Sequence, residues 1–277
     1  RRVEHRSFQE RIRQPAALCG IVGYKPTFGK VPGDGVIMLS WSLDHVAHMA
    51  ANVEDVALML DVLDPAEHTP YTTALNKDVK GLRVGIPVAA LENADPEVVA
   101  AFAAAVAALR DSGVTVEEVD TPTAEDFDLA MLMGLVVSRC EAAAYHTAFG
   151  ERRSLYDTVA VAEQLDEAAH VSAIAYLQAQ RAREDLRTRM LAQMQGYDGL
   201  LMPTTRVAAP KSEEVDNYFL VLSQNCILWS FIGFPVVSVP CGWTSNGLPV
   251  GAQLVTGPNE DDRLLALAAA LEAKIGE

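Results

Sequence analysis

Ser42, Asp44 and His45 are the residue types that hydrolases use as nucleophile, orienting acid and general base. Residues this close along a chain usually point in different directions, so structural support is the expectation for all three. Lys25 is a second candidate base, because a buried lysine gives up its proton more easily, but no acceptor serine can be placed beside it. His146 and His170 have no histidine at i+3 or i+4 and no clustered carboxylate, so no metal site is expected. Trp229, Phe231 and Phe234 read as core aromatics.

The elements that must hold these groups follow from caps and periodicity. Residues 53–63 (VEDVALMLDVL) read as a helix and 82–87 (LRVGIP) as a strand closed by Pro87. Asp95-Pro96-Glu97 combines a side-chain cap, a proline at the first helical position and an acid at the positive end of the helix dipole. The Ala/Val-rich run to Arg110 follows, and Gly113 suits a left-handed stop. Residues 114–119 (VTVEEV) alternate like a strand, so this stretch predicts a βαβ unit with a parallel pair and a right-handed crossover.

A helical stretch is expected around 126–149, and a long amphipathic helix over 172–195, with Ser172 as cap and Gly196 as stop. Buried strands are predicted at 198–202, 235–240 and 250–255. The Ser245-Asn246-Gly247 turn makes the last two antiparallel. Asn259 is the expected cap of a final helix. The fold class predicted is α/β, a mixed β-sheet covered by helices.

Composition narrows the function classes. Half of the 277 residues are hydrophobic, enough for a full core and too many for a disordered chain. The net charge of −15 is a poor match to nucleic acid or anionic lipid, so neither is expected as a partner. Charge is uneven: residues 1–13 carry five arginines against Glu4 and Glu10. Cys19, Cys140, Cys226 and Cys241 lie far apart without C-x-x-C spacing, which predicts reduced, buried thiols and a cytoplasmic location. No apolar run is long enough for a membrane span.

The most specific string is IRQPAALCGIVGYKPTFG, residues 12–29. It resembles the end of the signature of the amidase signature family. Ser40-Trp41-Ser42-Leu43-Asp44-His45-Val46 resembles that family's next motif, and Lys25 falls on its structural Lys-Pro-Thr position. The likeness continues through Gly81-Leu82-Arg83-Val84-Gly85, Asp198 to Thr204, Gly233-Phe234-Pro235 and Val239 to Gly242. It closes with Gly247 to Gly251 and Gln253, spanning residues 12 to about 273. Residues 12–277 are therefore expected to be the C-terminal portion of a single amidase domain, lacking its N-terminal part.

The resemblance implies hydrolysis of a small-molecule carboxamide by a Ser–Ser–Lys triad, with backbone N–H groups of a Gly-Gly-Ser loop holding the oxyanion. It implies no metal or organic cofactor. The nucleophile position, directly before Ile12, is Arg11, and a guanidinium is neither base nor nucleophile. The chain contains no Ser-Ser and no Gly-Gly pair. Ser7, the nearest serine, stands four residues early without flanking glycines. No catalytic residue is therefore assigned.

The abrupt loss of likeness before Ile12 suggests that residues 1–11 come from a frameshifted or misjoined reading. Related enzymes commonly carry an Asn near the substrate cavity before Gly-Phe-Pro. Asn225 and Ser230 are the substrate-binding candidates here, with Ser230 in the Asn position and buried hydrogen bonding the competing role. After Val46 the family's Gly-Pro and Arg-Thr or Arg-Ser become Ala47-His48 and Ala51-Asn52. The leading expectation is an amidase-family hydrolase, inactive as this chain alone. The alternatives are a non-catalytic pseudoenzyme binding an amide-like ligand and a subunit that completes a partner's site. A homodimer is left open.

Overall fold

The computed structural model describes residues 12–67, 69–148, 150 and 159–275. Ser7 and Arg11 lie outside the described residues. Within them, seven strands form one mixed sheet: β1 (Val22–Lys25), β2 (His48–Ala50), β3 (Arg83–Pro87), β4 (Thr115–Val119), β5 (Gly199–Pro203), β6 (Val236–Trp243) and β7 (Pro249–Val255). Their order is β2-β1-β6-β7-β5-β3-β4. β3 runs parallel to β4 and β5, and the other neighbours are antiparallel, including the expected β6–β7 pair.

Period-two alternation along the strands sorts the helices into two layers. Leu201, Val237 and Leu254 enter a core closed by α2 (Val53–Leu63), α3 (Pro96–Asp111) and α8 (Asp261–Ile275). Their neighbours Leu200, Met202, Val236 and Val255 enter the opposite core, under α4 (Ala124–His146), α6 (Ala173–Gln193) and α7 (Val215–Ile232). Trp229, Phe231 and Phe234 are buried in this second core, as their types suggested. α5 (Val159–Ala168) packs beside α4.

Local chemistry sets the helix starts. The Asp95 carboxylate accepts from the Glu97 N–H at 2.8 Å with Pro96 at the first helical position. Thr123 and Asp126 form a reciprocal capping box at α4. Ser172 Oγ accepts from the Ala175 N–H at 3.1 Å to start α6.

At α8 the structure departs from expectation. Asn259 is left-handed (φ 63°), and its N–H donates to Thr27 Oγ1 at 2.9 Å. The first helical bond is accepted by the Glu260 carbonyl, from Leu264 N–H at 3.0 Å. Glu260 thus takes the cap position, because its carboxylate also closes the preceding turn on the Gly257 N–H. Cys19 is exposed and Cys140 half-buried, contrary to the reading of all four thiols as buried; Cys226 and Cys241 are buried.

α1 (Arg13–Cys19) lies close against β1 and β7, and glycines make this possible. A Cβ on Gly23 would come within 2.6 Å of Ala16 Cβ and 2.9 Å of the Ile12 carbonyl oxygen. One on Gly251 would come within 2.7 Å of Ala17 Cβ. Gly23→Ala therefore has to push the helix off the sheet. It should lower stability by about 1–3 kcal/mol in urea denaturation, and a midpoint equal to that of the parent chain would refute this packing.

Candidate functional site

The first turn of α1 is held by a charge with no access to water. Arg13 is wholly buried, and its guanidinium donates to the Gln253 side-chain oxygen (3.1 Å), the Cys226 carbonyl (2.9 Å) and Ser230 Oγ (2.9 Å). Burying a cation is costly unless its charge is met by acceptors, and here both terminal nitrogens are bonded. Gln253 passes the constraint on, donating from Nε2 to the Asn225 carbonyl at 2.7 Å.

The Asn225 side chain donates to the Ala90 and Pro203 carbonyls at 3.0 and 2.9 Å and accepts from Arg206 Nε at 2.9 Å. Arg206 in turn donates to the Ala89 and Glu92 carbonyls. The structure therefore joins Asn225 and Ser230 through Gln253 and Arg13 in one buried network. Both are almost inaccessible to water. Burial lowers Arg206 from the ordinary guanidinium range.

Ser42, Asp44 and His45 do not assemble. Ser42 Oγ donates to Glu141 Oε1 at 2.7 Å. Asp44 accepts from the backbone N–H groups of Leu39 and Ser40 at 2.6 and 3.0 Å. His45 Nδ1 lies 2.7 Å from the Leu43 carbonyl, which fixes the proton on Nδ1, and Nε2 then accepts from Lys25 Nζ at 3.1 Å. Lys25 is buried and also donates to the Phe234 carbonyl at 2.5 Å. Burial, then the Lys25 ammonium, holds His45 well below the ordinary imidazole value, with smaller pushes from Arg13 and Arg183; the Leu43 carbonyl offsets only part.

Sequence reasoning passed over Glu141. This buried carboxylate accepts from Ser40 Oγ (2.6 Å), the Ser42 N–H (3.0 Å), Ser42 Oγ, Tyr176 OH (2.8 Å) and Gln180 Nε2 (3.3 Å). It pins the loop carrying His45 to α4 and α6. The signal was present: Phe127, Ala130, Gly134 and Val137 mark the core face of α4, and Glu141 is the next residue on it. On the other side Asp261 accepts from Tyr24 OH, the Thr27 N–H and Thr27 Oγ1 at 2.7, 3.0 and 2.6 Å. Between these anchors Pro26, Phe28, Met38, Trp41 and His45 line a cleft of about 450 Å³. Among the described residues no cluster of acidic, His and Cys side chains is arranged to hold a metal, and no helix is long and apolar enough to cross a membrane.

A model of the family described as Amidase matches residues 11–265. An amidase of Pseudomonas putida is 36% identical over 259 residues, covering 86% of this chain and 55% of the relative. The A subunit of the glutamyl-tRNA(Gln) amidotransferase of Brevibacillus brevis is 33% identical over 306 residues, covering 96% and 61%. A solved amidase structure superposes with a TM-score of 0.80 at 27% identity, over 95% of this chain and 60% of that one. The chain thus spans little more than half the length of the relatives it matches.

Two outcomes follow. Glu141→Gln keeps the shape but turns an amide N–H toward groups that donate, and should cost about 1–3 kcal/mol in chemical denaturation; an unchanged stability would remove Glu141 as an anchor. His45 and His48 both have folded values lowered from 6.5, each chiefly by burial. Below that value the unfolded chain binds protons that the folded chain refuses, so stability falls as pH drops. The urea midpoint should be lower at about pH 5.5 than at about pH 7.5, and His45→Gln should flatten the difference. An equal pH dependence in that variant would contradict the assignment to His45.

Proposed function

The chain belongs to the amidase family, and from that membership we propose that it is the C-terminal part of a hydrolase of small-molecule carboxamides. In the complete protein a serine hydroxyl directly before Ile12 attacks the amide carbon. A neutral lysine takes the serine's proton through a second serine, and backbone N–H donors hold the oxyanion. The C–N bond breaks as the amine leaves with a proton, and water then hydrolyses the serine ester. A cytoplasmic location fits the cysteine spacing.

The observation that carries this reading is the buried cradle of Arg13. It fixes the first turn of α1, one residue beyond Ile12, against α7 and β7. A nucleophile attached at that point would inherit a fixed position, as near-attack geometry demands. Ser230 and Asn225 serve substrate binding as positioning residues: their polar atoms are spent on Arg13, Arg206 and backbone carbonyls, which holds α7 against α1. Arg11 occupies the nucleophile position here, so the 277 residues hydrolyse no amide unaided.

The test joins the N-terminal part of the Pseudomonas putida relative, through its nucleophilic serine, to Ile12 of this chain. The fusion should hydrolyse a chromogenic anilide while the 277-residue chain alone stays silent. A folded but inert fusion would overturn the hydrolase reading, and turnover by the unaided chain would overturn its inactivity. Turnover on simple mixing of the two parts would favour a chain that completes a partner's site.

A further inference from the structure

The helix α6 breaks the charge pattern of the molecule. In a chain of net charge −15 it carries Arg181, Arg183, Arg187 and Arg189 against Glu184 and Asp185. Arg189 pairs with Asp126 at 2.8 Å. Arg183 and Arg187, one turn apart, line a cleft of about 620 Å³ with Gln180, Glu184, Phe28 and Ile232.

Arg183 is fixed in advance. Its Nε donates to the Phe231 carbonyl and its Nη2 to the Ser42 carbonyl at 2.7 Å. Its guanidinium also lies over the rings of Phe28 and Phe231, 5.8 and 6.0 Å from their centroids. No carboxylate among the described residues lies within ion-pairing distance of it, and Nη1 bonds none of them. Glu141, the nearest buried acid on this side, is committed to Ser40, Ser42, Tyr176 and Gln180. Among the described residues Arg187 reaches one carboxylate, Glu184 at 3.9 Å, and that carboxylate is largely exposed. Burial pulls Arg183 down from the ordinary guanidinium range, as expected of a cation whose charge is incompletely answered.

We infer that this cleft is a binding site for a carboxylate carried on an apolar or aromatic body. The carboxylate takes Nη1 of Arg183 together with the guanidinium of Arg187, and the body lies against Phe28, which is 39% exposed, and Ile232. Nothing in this assignment depends on the hydrolase reading, because binding is read without turnover.

The experiment is calorimetric titration of the 277-residue chain with benzoate at low ionic strength, with chloride and inorganic phosphate as comparators. Saturable uptake of benzoate, tighter than either inorganic anion, is expected. Arg187→Gln should weaken it about tenfold. Glu184→Gln, which removes the competing carboxylate, should tighten it, and the remote exposed Lys80→Gln should change nothing. A melting curve checks that Arg187→Gln folds; if it does not, Glu184→Gln decides. Absence of saturable uptake, a preference for phosphate, equal losses in the Arg187 and Lys80 variants, or no gain in Glu184→Gln would each overturn the assignment.

Discussion

A guanidinium sealed from water sets the terms for this structure. Arg13 sits where α1, α7 and β7 meet, and its terminal donors are met by acceptors held in place from α7 and β7. That requirement explains why polar residues interrupt the buried C-terminal half of α7, which carries Asn225 and Ser230 among apolar side chains. It also explains Gln253 on a strand whose other side chains are nearly all apolar, since its amide accepts from Arg13 and donates to the Asn225 backbone. Removing any one member leaves a buried polar atom of another without its partner, which costs more than the bond itself contributes.

The same economy recurs at the loops. Glu141 and Asp261 are buried carboxylates that collect donors from segments without regular structure, Ser40 to Ser42 and Thr27 respectively. A loop cannot satisfy its own backbone in the interior, so a carboxylate projected from a helix supplies the missing acceptors. The two anchors grip opposite sides of the cleft lined by Phe28 and His45. The fold therefore fixes the cleft walls from α4 on one side and α8 on the other.

The layers were legible because their cause is local. Asp95-Pro96-Glu97 and Ser172 announce helix starts by chemistry contained within one turn, whereas the Thr123 cap, which starts α4 at Ala124, was passed over. Asn259 misled for the converse reason: a side chain suited to capping also suits a left-handed turn, and Thr27, far away in sequence, selects the second use. α7 gives no clear periodic signal, because polar side chains such as Ser223, Asn225 and Ser230 are buried with its apolar ones. The candidates Asn225 and Ser230 were found through the family likeness, and their shared network depends on Arg13, more than 200 residues away. Such pairings leave no trace in spacing.

The departures after Val46 are informative for the same reason. Where relatives commonly carry Gly-Pro, His48 donates from Nε2 to the Val56 carbonyl at 2.9 Å, and its ring packs 5.4 Å from that of Tyr24. Where they carry a basic residue followed by Thr or Ser, Asn52 caps α2 by accepting from the Asp55 N–H at 2.7 Å. Both replacements act on the first turn of one helix, from its two sides. Substitutions accumulating without constraint would leave the freed positions idle or strained. Here His48 and Asn52 each bond at the start of α2, so the β2–α2 corner is held by side chains that the alanines beside them cannot supply.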